Sequence, residues 1–310
     1  MSGRHTSNPS TARRLRQLPT ACLLLLSCLT AWCSSQPEAF RPARLEEAPL
    51  LFATVDGHRV AYRAAGRGGP TLVFVHGWTC DMTSWKYQFP AFAKTHRVIA
   101  LDLPGHGASD KPDVTYSMDL FARAVDAVLT ADGSKRAVLV GHSMGTMVVR
   151  QFYRLHKDKT AALVVVDGAL RPFTLDPAAV DKFLSPYRGS DADARKAQAA
   201  FVDAMVPEKE GELRQELKRV VLSTPRNVVV SAGQAMFDPA IWKDDNIWIP
   251  VLAVYAKSPF WSEEYETFVH KMAPLVNYKV FEGVGHFLML EKPELFNAAL
   301  SAFLADLPRR

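Results

Sequence analysis

A serine flanked at two residues' distance by glycines, Gly141-His142-Ser143-Met144-Gly145, directly follows an apolar run, Ala137 to Val140, and opens a stretch of helical periodicity. At such a strand-to-helix turn a strained backbone pushes the hydroxyl out from the sheet's edge, and the glycines leave room for the adjoining strand and helix. The helix N-terminus behind the serine favours negative charge as it develops. The bland alternative is a glycine-rich turn with an incidental serine. A serine hydroxyl is a weak nucleophile at neutral pH unless a base takes its proton. Near the other end of the chain, Gly283-Val284-Gly285-His286-Phe287 follows the short run Tyr278 to Phe281. An imidazole titrating near about pH 6.5 can take the Ser143 proton and return it to a leaving group. Without that role, His286 is a satisfied loop histidine.

Attack on a carbonyl creates an oxyanion, which needs hydrogen-bond donors. The run Thr71 to Val75 leads into His76-Gly77-Trp78, so the amide N–H groups of Trp78 and Met144 are the expected oxyanion hole. Losing one such donor removes about 3 kcal/mol of transition-state stabilisation. His76 is expected to be a structural loop histidine, because the chemistry of this turn lies in its backbone. The segment Asp102 to Ser109, with sequence DLPGHGAS, reads as a structural turn supporting the active-site loops, and Cys80 as a small loop residue.

These residues need a frame. From Leu50 onward short apolar runs alternate with helical periodicity, the pattern of an α/β fold with a largely parallel sheet and helices on both faces. Strands are predicted at Leu51 to Val55, His58 to Arg63, Thr71 to Val75, Arg97 to Leu101, Ala137 to Val140, Leu163 to Val166, Val251 to Tyr255 and Tyr278 to Phe281. Asp56-Gly57 is a hairpin signal, so the sheet should begin antiparallel. Helices are predicted at Met82 to Ala93, Met118 to Leu129, Met144 to His156, Ser262 to Met272 and Pro293 to Leu307. Residues 171–246 contain no buried-strand run and read as amphipathic helices broken by Pro177, Pro186, Pro207 and Pro225. This is an expected helical cap, whose Phe173, Phe183, Leu184, Tyr187, Phe201, Met205, Trp242 and Trp248 serve either helix packing or an apolar pocket.

In this order, HGW, DLPGHGAS, GHSMG and VGHF followed by Leu290-Glu291-Lys292-Pro293-Glu294, the chain resembles the α/β-hydrolase family from about Leu50 to Leu307, with little specificity in the cap. The resemblance implies an eight-stranded, mostly parallel sheet, a Ser–acid–His triad in that chain order, and a helical lid. It also implies that Ser143 stands where dehalogenases and epoxide hydrolases of this fold carry Asp, so those activities drop out. In the family the acid most often follows the strand assigned here to Val251 to Tyr255, in a Gly-x-x-Asp turn. This chain instead reads Ala256-Lys257-Ser258-Pro259-Phe260, with no carboxylate. Two replacements stand open: Asp167 after the sixth strand, a position some family members use, and Glu263 or Glu264 beyond the gap. Asp167 is preferred because it lies at the sheet edge beside the strand bearing Ser143, although Asp-Gly is also an ordinary turn signal.

The first 33 residues lead with Arg4, Arg13, Arg14 and Arg16, carry no acid, and continue into the apolar run Ala21 to Leu29. That run is shorter than the ~20 residues of a spanning helix, so an export signal is expected, with lipidation at Cys28 as an option. Without this leader the chain keeps 33 basic residues against 32 acidic ones, which gives no reason to expect a nucleic-acid partner. One cysteine remains in the body, excluding a disulfide framework. No metal or cofactor is implied, and a membrane enters only through a lipid anchor.

The expected organisation is a leader at 1–33, a linker at 34–49, a hydrolase core at 50–169 and 247–308, and a cap at 170–246. The expected function is that of an exported serine hydrolase, carboxylesterase-like, acting on a small apolar acyl or aryl ester or on a lactone through an acyl-enzyme. A carbon–carbon bond hydrolase with the same triad is the alternative within enzymes. A ligand-binding receptor on a hydrolase scaffold is the alternative outside them.

Overall fold

The computed structural model describes residues 42–308. The expected leader and the first part of the linker lie outside the described residues. Residues 42–49 do not behave as a linker. Leu45 and Ala48 are buried, and Arg63 donates to the carbonyls of Glu46 and Ala48.

Eight strands form one sheet among the described residues: β1 (Leu50–Val55), β2 (His58–Ala65), β3 (Thr71–Val75), β4 (Val98–Leu101), β5 (Ala137–His142), β6 (Thr160–Val166), β7 (Val251–Ala256) and β8 (Val276–Phe281). Their spatial order is β1-β2-β4-β3-β5-β6-β7-β8. Only β2 runs antiparallel to its neighbours. The hairpin between β1 and β2 turns at Asp56 and Gly57, whose φ values of 50° and 83° match the twist that a two-residue hairpin requires. In the central strands successive side chains enter opposite cores. Leu72, Phe74, Val138 and Val140 join one apolar cluster, while Val73, Val75 and Leu139 join the other. Both faces of the central strands are therefore dry and their runs are apolar, whereas the parallel edge strand β8 mixes half-buried and exposed residues.

The helices are α1 (Gln88–Phe92), α2 (Met118–Asp132), α3 (Met144–Leu155), α4 (Pro177–Arg188), α5 (Asp191–Met205), α6 (Gly211–Val221), α7 (Arg226–Ala235), α8 (Glu263–Met272), α9 (Leu288–Glu291) and α10 (Pro293–Ala305). The helix expected over Met82 to Ala93 is instead a 3₁₀ turn, Met82–Trp85, followed by the short α1. Pro90 explains the break: it lacks an N–H for the preceding turn and is tolerated only in the first turn of a new helix. Pro186, expected to break the insertion, sits inside α4. The Lys182 carbonyl, deprived of its helical donor, accepts the Ser185 hydroxyl at 3.2 Å.

Helices α4 to α7 all lie between β6 and β7. Their N-termini are set by Asp176 before Pro177, by a Ser190–Asp193 capping box, and by Pro225 at the start of α7. Buried Arg150 on α3 holds both ends of this insertion: it donates to the Leu170 carbonyl at 2.5 Å and to the Lys243 carbonyl at 2.7 Å. Asp245 sits against Arg150 and Arg154 at 3.0 Å and 2.7 Å. No helix among the described residues is long and apolar enough to cross a membrane.

Candidate active site

The C-terminal ends of the parallel strands put the chemistry-bearing residues on one edge. Ser143 leaves β5 with φ 53° and ψ −118°, a conformation that L residues rarely adopt, and α3 begins at the next residue. Strain persists only where surrounding structure fixes it. Here the Ser143 N–H donates to the Val166 carbonyl at 2.9 Å, extending the β5–β6 ladder one residue past the strand. A side chain at Gly141 would collide with the Gly145 carbonyl, and one at Gly145 with the Val75 carbonyl. Both glycines are thus required by close backbone approach, not by turn geometry.

Asp167 repeats the arrangement on the adjacent strand. It follows β6 with φ 44°, and its N–H donates to the Val254 carbonyl at 2.8 Å. The residue is 6% exposed, and its carboxylate accepts three hydrogen bonds. His286 Nδ1 lies 2.7 Å from Oδ2, while Oδ1 accepts the Ala256 N–H and the Trp261 indole N–H, each at 2.8 Å. With Nδ1 engaged as donor, the His286 Nε2 is the free basic nitrogen. The alternative acids are not brought to His286. Glu263 and Glu264 are both exposed in the first turn of α8, and Glu264 pairs with Arg171 at 3.0 Å.

The loop carrying His286 is fixed by residues to which the sequence assigned no part in holding it. The His286 N–H donates to the Met205 carbonyl at the end of α5 at 3.0 Å. His142 Nε2 lies 2.9 Å from the His286 carbonyl, with the two rings 4.6 Å apart. Glu291 accepts the Gly285 N–H at 2.7 Å. Burial, and the nearby His286, push the His142 ring well below the usual imidazole range, so it is a neutral donor. Its position inside the Gly141–Gly145 motif was the available signal. Trp261 had none, since an isolated Trp after a Ser-Pro turn carries no periodicity.

Ser143, His286, Asp167, Trp78 and Met144 all line one cavity of about 530 Å³. Among the described residues neither the Trp78 nor the Met144 amide N–H has an acceptor in the protein. The Trp78 side chain is held by its indole N–H on the Val229 carbonyl of α7 at 2.9 Å. Phe183, Phe201, Met205 and Trp242 from the insertion supply much of the remaining wall, with Phe173 just before α4. Tyr187 instead packs edge-on against Trp78 with ring centroids 4.9 Å apart. Trp248 is 64% exposed and lies outside the cavity.

His76 is buried, its Nδ1 bonded to the Gly77 carbonyl at 2.8 Å and its Nε2 accepting the Leu103 N–H at 3.0 Å. Burial pushes it down to about 4, and the neighbouring His106 down to about 3. Both are neutral structural rings at ordinary pH. Cys80 is a buried free thiol, which burial pushes up to about 12. Among the described residues no His, Cys, Asp or Glu group has the arrangement to hold a metal ion.

Asp102 organises the DLPGHGAS turn by accepting the Met82 and Ala108 N–H groups, each at 2.7 Å. Burial, reinforced by the Asp81 charge, raises its carboxyl to about 7 despite those donors. The folded state therefore holds this proton more tightly than the unfolded chain, and the Asp102 contribution to stability declines as pH rises from about 4 through 7. Asp102→Asn is expected to flatten that segment of the melting-temperature profile relative to wild type. It should also lower stability by about 1–3 kcal/mol, because the amide NH₂ cannot accept the second backbone N–H. Melting curves of both proteins at several pH values between about 4 and 8 check this. A constant wild-type-minus-variant difference would contradict it.

A family model described as "Alpha/beta hydrolase family" matches residues 72–299. Among curated relatives, an uncharacterised protein of Mycobacterium tuberculosis is 27% identical over 288 residues, covering 85% of this chain and 84% of its own. Among solved structures, a thermophilic esterase from Thermogutta terrifontis superposes with a TM-score of 0.73 at 23% identity, over 84% of this chain and 99% of its own. An esterase from Rhodococcus sp. ECU1013 superposes with a TM-score of 0.70 at 26% identity, again over 84% of this chain and 99% of its own. Because the family match runs from the centre of the sheet at β3 into α10, the chain belongs to the alpha/beta hydrolase family.

Proposed function

We propose that the protein hydrolyses carboxylic esters, lactones included, through an acyl-enzyme on Ser143, with His286 as general base and Asp167 as the acid that orients it. The observation that carries this reading is the 2.7 Å bond between Asp167 Oδ2 and His286 Nδ1, on the wall of the same cavity that holds Ser143 on its strained turn. His286 Nε2 takes the Ser143 proton as Oγ attacks the ester carbonyl. The oxyanion gathers on the unused amide N–H groups of Trp78 and Met144, at the N-terminus of α3. Collapse expels the alcohol, which takes the proton back from His286. Water, deprotonated by the same nitrogen, then releases the acid and restores Ser143. Asp167 orients the ring through its bond to Nδ1 and stabilises the imidazolium.

The apolar cavity wall supports a neutral acyl or aryl ester as substrate, and the resemblance to the Rhodococcus esterase at 26% identity supports an ester as the bond cleaved. Helices α4 to α7 act in this reading as a cap that excludes water from the reacting carbonyl. The arginine-led apolar segment at the N-terminus supports export, and hence an ester met outside the cytoplasm.

A panel of p-nitrophenyl esters of increasing acyl length, a lactone and a vinylogous diketone tests the bond class. Turnover of the short and medium esters is expected, with carbon–carbon cleavage at least about a hundredfold slower in kcat/KM. Faster cleavage of the diketone would move the activity to the carbon–carbon class. Binding without turnover of any member would favour a receptor.

A further inference from the structure

The strand that usually delivers the acid in this family is β7, and here its exit carries no carboxylate. It carries something else. From Ala256 the chain turns through Ser258, whose carbonyl accepts the Trp261 N–H at 3.2 Å, and reaches Ser262, the cap of α8. This brings the Trp261 indole to Asp167, with Nε1 2.8 Å from Oδ1. We infer that Trp261 is a positioning residue: its indole N–H, together with the Ala256 amide, fixes the Asp167 carboxylate so that Oδ2 faces His286. This inference rests on the serine-hydrolase reading above.

Three features support it. First, the two donors occupy one carboxylate oxygen and leave the other to His286, so rotation of the carboxylate would break three bonds at once. A hydrogen bond to an ionised acceptor is roughly twice as strong as one between neutral groups. Second, the donor is itself held rigidly. The Trp261 ring packs against Tyr255 and Tyr265 with centroids 4.6 Å and 4.8 Å away, and against Phe173 at 5.6 Å. Third, Asp167 is buried, so the partners that set which way its carboxylate faces are the Ala256 amide, the Trp261 indole and His286. Trp261 therefore does for the relocated acid what a loop holding its own acid does not need.

The titratable surroundings make the effect readable. Around Asp167 stand Tyr255 on β7, Tyr265 on α8 and Tyr278 on β8, all raised above the usual phenol range chiefly by burial. His142, beside the His286 ring, is pushed well below the imidazole range. At the cavity rim Lys257 is raised by its pairing with Glu282, and Glu282 is lowered by the same pair. Arg171 lies over the Tyr265 ring with its guanidinium 5.5 Å from the centroid. Glu291, which accepts the Gly285 N–H beside His286, is raised by burial, so the effect is read as the difference in the acidic limb of kcat/KM between wild type and a variant with an isostere at position 261, in which Glu291 is unchanged. Removing a donor makes the carboxylate a stronger acceptor for the imidazolium proton. His286 then stays protonated to higher pH, and the acidic limb moves upward.

The test compares wild type with Trp261→Phe, and with the sulfur isostere of tryptophan at position 261, which keeps the indole shape and removes only the donor. Both variants are measured on p-nitrophenyl butyrate, and Trp261→Phe is also made in the Asp167→Asn background. The expected result is a loss of about tenfold in kcat, an upward shift of the acidic limb by about half a pH unit, and KM within about threefold of wild type. In the Asp167→Asn background the Phe substitution should change the rate of fluorophosphonate labelling by less than about twofold. The inference is overturned if the isostere alters only KM or melting temperature. An undiminished effect without the Asp167 carboxylate overturns it equally. If wild type neither hydrolyses the ester nor reacts with the fluorophosphonate, the hydrolase reading itself has failed, an outcome distinct from an active wild type with an indifferent residue 261.

Discussion

Ser143→Ala is expected to lower kcat for p-nitrophenyl esters by about a million-fold, leaving only the residual rate that the cavity and the oxyanion donors provide. The size follows from the geometry. Among the described residues no other hydroxyl stands on a strained turn at the head of a helix in the cavity that His286 lines, so no other residue is placed to take over covalent attack. Thr146, one turn into α3, is buried with its hydroxyl donating to the Gly141 carbonyl at 3.0 Å, and is unavailable. Substrate binding should be nearly unchanged, because the methyl of Ala removes one oxygen from a cavity of about 530 Å³. Steady-state kinetics together with equilibrium binding of a non-hydrolysable ketone analogue separate the two effects. A loss below about a hundredfold would mean that Ser143 is not the nucleophile.

Asp167→Asn should lower kcat by about 10⁴-fold with the fold intact. In the variant, the amide oxygen can still accept from Ala256 and Trp261, which turns the NH₂ group toward His286. Nδ1 must then accept instead of donate, so the ring proton moves to Nε2, the nitrogen that has to receive the Ser143 proton. The base is blocked by its own tautomer. Glu263→Gln combined with Glu264→Gln should alter kcat by less than about threefold, since both carboxylates are exposed on α8 and one is paired with Arg171. Parallel kinetics of the single and double variants decide between the two acids. Equal, small effects in both would leave His286 without an acid partner.

Much of this architecture is legible in the sequence because the parallel strands are buried on both faces and read as apolar runs. The ends of the runs are less legible. β6 begins at Thr160, ahead of the run expected from Leu163, because Ala161 and Ala162 carry little hydrophobic signal: Ala162 pairs with Val138, while Ala161 falls in a shift of the β5–β6 register. β8 begins at Val276 for a similar reason: its alternation of half-buried and exposed residues hides an edge strand. The Met82–Ala93 segment shows a local rule overriding periodicity, with Pro90 dividing one expected helix into a turn and a short helix.

For the candidate site, Ser143 and His286 stand out because each is framed by glycines that close packing requires or a turn allows. Asp167 could be placed from the missing acid after β7 together with its own seat at the end of the strand beside the one bearing Ser143, a position some family members use. The donors that hold it, Ala256 and Trp261, were not readable, because contacts between loops of different strands leave no pattern along the chain. The same applies to the Met205 carbonyl, which reaches the His286 backbone from a helix about 80 residues earlier in the sequence.

The most direct measurement is peptide mapping by mass spectrometry after reaction of the intact protein with a fluorophosphonate, with esterase activity followed in parallel. The expected result is a single phosphonyl adduct on the peptide containing Ser143, growing to about one per chain as esterase activity disappears, and absent from Ser143→Ala. Stoichiometric adduct on any other residue, or full esterase activity retained by the labelled protein, would contradict Ser143 as the nucleophile and with it the proposed mechanism.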